Sequence, residues 1–147
     1  MSTQPQPWQL HHVAVVVRDM DKAIQHYTTL GLCPAGSFRT FTASFPATYR
    51  GRSVTVELKG AMARMGEARL ELFEAVRGDN PYWDFLQKKG EGMHHLAFTV
   101  ANLEAEVERV GRQGTGVLMR GQAGKVSFAY LDTAGTGGAY IELMQTG

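Results

Sequence analysis

Displaced along itself by 83 positions, the sequence meets its own second half. His11 and His12 fall on His94 and His95, Ala14 on Ala97, Val17 on Val100, Met20 on Leu103, Ile24 on Val107 and Gly31 on Gly114. A repeat of this kind makes the fold two copies of one supersecondary unit, neither of which buries its apolar face alone. Each copy opens with an apolar run, QLHHVAVVV at 9–17 and GMHHLAFTV at 92–100, which reads as a β-strand. A helical segment follows in both. DMDKAIQHYTTLG has Asp19 as N-cap and ANLEAEVERVGRQG has Asn102, each with acidic residues in the first turn and a closing glycine. Strand-like runs then end both copies: RSVTVELKGAMARM and ARLELFEA around a Gly66-Glu67 turn, KVSFAYLDT and AYIELMQ around the glycine-rich AGTGG. Leu70-Glu71-Leu72 answers Ile141-Glu142-Leu143.

The unit is therefore βαβββ. A four-stranded sheet with one helix leaves a face bare, and the second copy is the obvious partner for it. The expected fold is α+β: two βαβββ modules, residues 9–78 and 92–147, whose sheets pair to form an open, barrel-like metal-binding cleft. Residues 1–8, polar and with two prolines, are expected to be a flexible tail. Residues 79–91 connect the modules, with a short helix in NPYWDFLQKK capped by Asn80 and with Pro81 at its first position.

Side-chain alternation then sorts the histidines. His12, Ala14 and Val16 share one strand face, while His11, Val13, Val15 and Val17 share the other. His95, Ala97 and Thr99 oppose His94, Leu96, Phe98 and Val100 in the same way. The bulkier sets pack a core, which assigns His11 and His94 to structural or hydrogen-bonding support. In the closing strands Leu70, Leu72, Ile141 and Leu143 take the packing side. Glu71 with Phe73, and Glu142 with Tyr140 and Met144, take the roomier one. His12, Glu71, His95 and Glu142 then converge. Two imidazoles and two carboxylates suit a divalent ion such as cobalt, nickel, manganese, iron or zinc, and leave open positions for substrate oxygens. Phe73, Tyr140 and Met144 beside them are expected to receive an apolar or aromatic part of the substrate. Glu142 is the expected proton-transfer base, with Glu57 as the other acidic candidate for the opposite face of the substrate.

The chain has 15 Lys+Arg against 14 Asp+Glu and shows no basic cluster interleaved with aromatics, which argues against nucleic acid or an anionic membrane as partner. No apolar run approaches the roughly 20 residues needed to cross a bilayer. The lone Cys33 has no internal disulfide partner, and MSTQPQPWQL has neither the charged start nor the apolar stretch of a signal peptide, so a cytoplasmic location is expected. The expected partners are a small-molecule substrate and a second copy of the chain in a homodimer. GTGG sits between two strands instead of opening a helix, and so reads as a hairpin turn and not a phosphate loop.

The paired modules with HHVA, LELFE, HHLAF and GGAYIELMQ resemble the vicinal oxygen chelate superfamily over residues 9 to 145. Through NPYWDFLQKKGEGMHHLAFTV and VSFAYLDTAGTGGAYIELMQ the chain is most similar to its methylmalonyl-CoA epimerases. That resemblance implies metal ligands at His12, Glu71, His95 and Glu142. It also implies a divalent ion that grips two substrate oxygens and stabilises an enolate while a carboxylate moves the proton. The alternatives within the superfamily are a glyoxalase I-like lyase, an extradiol dioxygenase and a non-catalytic antibiotic-binding protein. Residues 34 to 65 are longer and more aromatic than the resemblance implies, and this segment builds one wall of the substrate cavity.

Overall fold

The computed structural model describes residues 7–133, 135 and 138–147. In chain order its elements are β1 (Gln9–Val17), α1 (Met20–Leu30), β2 (Arg39–Tyr49), β3 (Arg52–Met65), β4 (Ala68–Ala75), α2 (Pro81–Lys89), β5 (Gly92–Thr99), α3 (Leu103–Arg112), β6 (Val117–Ala123), β7 (Val126–Leu131) and β8 (Tyr140–Thr146). Each helix begins at a capping side chain that takes a backbone N–H otherwise left without a partner. Asp19 accepts from Lys22, Asn80 from Trp83 and Asn102 from Ala105. Gly31 ends α1 at φ 91°, a conformation that costs glycine little.

Both modules build the same sheet. In the first, β1 lies parallel to β4, and β4, β3 and β2 follow in antiparallel order. In the second, β5 lies parallel to β8, followed by antiparallel β7 and β6. The two sheets join edge to edge. β1 pairs with β5 along most of its length, whereas β2 meets β6 only through Ala47, Thr48 and Tyr49 opposite Gly121, Arg120 and Met119. The eight strands thus close into a barrel, where the sequence led to expect an open one. The cleft survives because the first part of β2 parts from β6. Pro46, which has no N–H to give a ladder, stands where that pairing begins.

Alternation divides the core as the repeat requires. Val15, Val17, Leu70 and Leu72 pack outward against α1, and Leu131 and Leu143 pack against α3. Ala14, Val16, Val56, Leu58, Phe73, Phe128 and Tyr130 point into the barrel, where Tyr82, Phe85 and Leu86 of α2 join them. The connector helix thereby contributes directly to the barrel interior.

Two expectations are revised. Trp8, assigned to a flexible tail, lies near Phe98 at 5.8 Å and donates its indole N–H to Glu106 at 2.6 Å, while residues 1–6 of that tail lie outside the described residues. Most of AGTGG also lies outside them; β7 and β8 on either side pair antiparallel. The second revision concerns the histidine pairs. Between Leu10 and His12, and again between Ala14 and Val15, the β1–β5 register slips by one residue, leaving His11 and His94 as the extra residues of two β-bulges. A bulge breaks strict alternation, so both turn to the same side as the histidine that follows. His94 lies among Tyr82, Phe85 and Tyr140, each 5.1 Å away between ring centres, and not on the outer face against α3. No helix among the described residues is long and apolar enough to cross a membrane.

Candidate metal centre

Inside the barrel, His12 on β1, Glu71 on β4, His95 on β5 and Glu142 on β8 come together from four strands that are neighbours around the β1–β5 seam. Their exposures are 3%, 7%, 0% and 6%. Nε2 of His12 lies 3.2 Å from Nε2 of His95, 3.6 Å from Oε1 of Glu142 and 3.7 Å from Oε2 of Glu71. Glu142 Oε1 is 3.8 Å from His95 Nε2. Donor atoms of His12, His95 and Glu142 all lie within 4.8 Å of one another, with Glu71 completing the set through His12.

The bulges explain why each histidine is doubled. Nδ1 of His11 lies 2.8 Å from Nδ1 of His12, and Nδ1 of His94 lies 2.8 Å from Nδ1 of His95. When Nε2 of His12 or His95 offers its lone pair to the centre, Nδ1 carries the proton and donates it to the preceding histidine. Each leading imidazole thus fixes the tautomer and ring orientation of the one that faces the cavity.

Burial governs the charge states. It lowers His12 to about 3, helped by His11 and Arg69, and lowers His95 well below the ordinary histidine range, helped by His94 and His12. It raises Glu71 to about 8. Glu142 is pushed well up, first by burial and then by Glu71, against the influence of the Tyr130 hydroxyl, which favours its ionised form. No lysine or arginine pairs with either carboxylate among the described residues. Two buried carboxyl groups and two imidazoles facing each other without a cationic partner are costly as they stand, and they form a donor set that a borderline divalent cation would satisfy. The residues present therefore fit such an ion.

The centre forms one end of a cavity of about 200 Å³ whose lining includes His11, His12, Glu71 and Glu142, with Phe41, Ala43, Phe45, Leu58, Met62, Phe128 and Met144 around them. Of the residues expected to meet substrate, Phe73 and Met144 line this cavity, whereas Tyr140 does not: it lies against His94. Glu57 is corrected outright. Val56 and Leu58 face the barrel interior, so the side chain between them projects outward and is exposed, away from the reaction centre. Sequence reasoning passed over Tyr130 and Tyr82, whose hydroxyls hydrogen-bond each other. The alternation of Phe128 and Tyr130 against Ala129 and Leu131 in β7 was the available signal. The aromatic segment expected to wall the cavity does so through Phe41 and Phe45 of β2.

Residues 11–130 match the family model of the Glyoxalase/Bleomycin resistance protein/Dioxygenase superfamily. The chain belongs to this superfamily. Mitochondrial methylmalonyl-CoA epimerase of Homo sapiens is 30% identical over 141 residues, covering 92% of this chain and 73% of that protein. The 2-epi-5-epi-valiolone epimerase of Actinomyces sp is 32% identical over 114 residues, 71% of this chain and 58% of that protein. The crystal structure of methylmalonyl-CoA epimerase from Mycobacterium tuberculosis superposes with a TM-score of 0.66 at 22% identity, over 95% of this chain and 88% of that one, an agreement of fold. Epimerases thus recur among the superfamily relatives of this protein.

Proposed function

We propose that the protein is a divalent-metal-dependent, epimerase-like enzyme that removes and returns a proton at a carbon adjacent to a carbonyl group. The observation that carries this reading is the convergence of Glu71 and Glu142 with His12 and His95 at the polar end of an otherwise apolar cavity. These four residues would hold the ion, which when bound supplies Lewis acidity toward a carbonyl oxygen and so acidifies the adjacent C–H. The two relatives named above act on differently named substrates yet are both epimerases, which supports stereochemical inversion as the shared chemistry.

Glu142 is the base. Its carboxylate stands in the last strand beside the reacting end of the cavity, and burial raises its affinity for a proton, which strengthens it as a base. The Tyr130 hydroxyl lines the same cavity and favours the ionised form of that carboxylate. His11 and His94 keep the facing imidazoles oriented. Glu142 takes the proton from one face of the carbon, and inversion follows when a proton from solvent is delivered to the opposite face, which also carries solvent deuterium into the substrate.

Exchange of substrate hydrogen with deuterated solvent tests the reading. The metal-loaded protein is expected to exchange the acidic hydrogen of at least one member of a panel of 2-substituted carboxylates and thioesters that includes methylmalonyl-CoA. Chelator removes that exchange, and Glu142→Gln loses it while staying folded. Undiminished exchange by the Gln variant would take Glu142 out of this role. A second reading follows from the tighter grouping of His12, His95 and Glu142, the two-histidine, one-carboxylate set of iron(II) oxygenases. Oxygen consumption by the iron-loaded protein with a catechol would favour it.

A further inference from the structure

Two inward-facing glycines shape the cavity wall. Gly60 on β3 pairs with Phe41 across the β2–β3 ladder, and a Cβ at Gly60 would overlap the Phe41 ring. Gly121 on β6 admits the Pro46 carbonyl oxygen, which would stand 2.8 Å from a Cβ there, and beside it the Phe128 ring at 3.1 Å. Glycine within a strand loses packing and conformational entropy, and it recurs where something must approach the backbone closely. At Gly60 the something is a phenyl ring, and at Gly121 it is chiefly the β2 backbone. The Phe41 ring therefore lies low against bare backbone. Phe45 and Phe128 meet edge to face at 5.4 Å and 82°, so the rings also join β2 to β7 across the cavity.

The chemistry of the lining is sharply divided. Its polar side chains are His11, His12, Glu71, Glu142, Tyr82 and Tyr130 at the reaction centre; the remainder is aromatic or aliphatic, without a lysine or arginine among the described residues. A substrate body that brought a carboxylate, phosphate or several hydroxyls against Phe41, Phe45 and Phe128 would surrender their hydration without a partner. The volume of about 200 Å³ is below the ~300–1,000 Å³ of ordinary ligand pockets, which limits that body to a small group. A flat ring meets both conditions, since it is apolar, compact and able to pack against the phenyl side chains of the wall.

We infer that this site takes small carbonyl compounds with an aryl body, and that Phe41, seated on Gly60, determines that specificity. The inference deepens the proton-transfer reading and rests on it. The reacting carbon and its oxygens lie at the histidine and glutamate end, and the ring lies against Phe41, Phe45 and Phe128. Phe41 stands at the rim, 37% exposed, where its ring covers the side of the substrate nearest solvent.

Calorimetric binding of (S)-mandelate and (S)-lactate to the full-length, metal-loaded protein tests this. The two acids share an acidic C–H between a hydroxyl and a carboxylate, and differ by phenyl for methyl. Mandelate is expected to bind at least about tenfold more tightly. Phe41→Ala should weaken mandelate about tenfold and leave lactate unchanged. Gly60→Ala, which unseats the same ring without removing it, should reduce the preference in the same direction, with circular dichroism confirming the fold of both variants. Equal affinity for the two acids, or a Phe41→Ala variant that keeps the full preference, overturns the aryl specificity and leaves the carbonyl site standing. Failure of the wild-type protein to bind either acid removes the carbonyl-site reading and this inference with it.

Discussion

Glu71→Gln separates what this side chain does for the fold from what it does for the ion. Burial raises the Glu71 carboxyl from 4.5 to about 8. An acid whose folded pKa lies above its unfolded value leaves full stability below the unfolded pKa and takes it away as pH rises toward the folded one. Between 4.5 and 7 the unfolded chain gives up its proton while the folded chain keeps it, so at roughly 1.4 kcal/mol per pH unit the penalty at pH 7 is roughly 3 kcal/mol. Glutamine has nearly the same shape and nothing to ionise. The metal-free variant is therefore expected to be more stable than the wild-type protein at pH 7. At about 2–4 °C per kcal/mol the midpoint rises by up to about 10 °C, and the gain vanishes near pH 4. Metal affinity moves the other way. Losing a charged donor should weaken binding by more than the ~10–100-fold that outlying partners of a metal site command. Thermal unfolding of chelator-treated protein at pH 4 and pH 7, followed by metal titration, reads both effects. A lower midpoint for the metal-free variant at pH 7, or an equal gain at pH 4, would refute the reasoning.

Because burial raises the Glu71 carboxyl to about 8 and shifts Glu142 in the same direction, uptake of a divalent ion at pH 6.5 should release protons, measured by calorimetry in buffers of different ionisation enthalpy; zero release contradicts the charge state assigned to Glu71. Tyr130→Phe removes a hydroxyl that favours the ionised form of Glu142 and is expected to weaken metal binding in titrations near pH 6; unchanged affinity would contradict that role. Trp8→Ala loses the indole bond to Glu106 and the contact with Phe98; a destabilisation of about 2–3 kcal/mol should appear in chemical denaturation, and an unchanged midpoint would mean that the segment is not anchored. Glu57→Gln, on the outer barrel face, is expected to leave metal content and proton exchange at wild-type levels.

The repeat carried most of the fold, since matching histidines 83 residues apart fix two equivalent strands that meet at the β1–β5 seam. Period-two alternation then selected His12, His95, Glu71 and Glu142 correctly as side chains of one face, because one-residue register errors would have sent their apolar neighbours to solvent. The same rule failed at His11 and His94, where a bulge depends on how two strands pair and is not encoded by either strand alone. β2 and β6 were not delimited by the sequence. RTFTASFPATY contains a proline, and VLMRGQA contains a glycine that is needed only because Pro46, Ala47 and Phe128 come close to it. Tyr140 was placed in the cavity by its face, but α2 fills the barrel at that level, and the packing of a connector against a barrel interior is a tertiary fact. Glu57 was misjudged as a second acid because its chemistry was attractive while its alternation with Val56 and Leu58 already pointed outward.

The central claim is that two modules each contribute one histidine and one glutamate to a single divalent-ion site. Equilibrium dialysis of chelator-stripped, full-length protein against cobalt(II), followed by elemental analysis, tests it most directly when His12→Ala and His95→Ala are run beside the wild type. About one ion per chain is expected in the wild type, with markedly weaker binding in either variant, since each loses one of the two imidazoles and keeps only three of the four donors. Full occupancy in both variants, or no tightly held ion in the wild-type chain, would contradict the account.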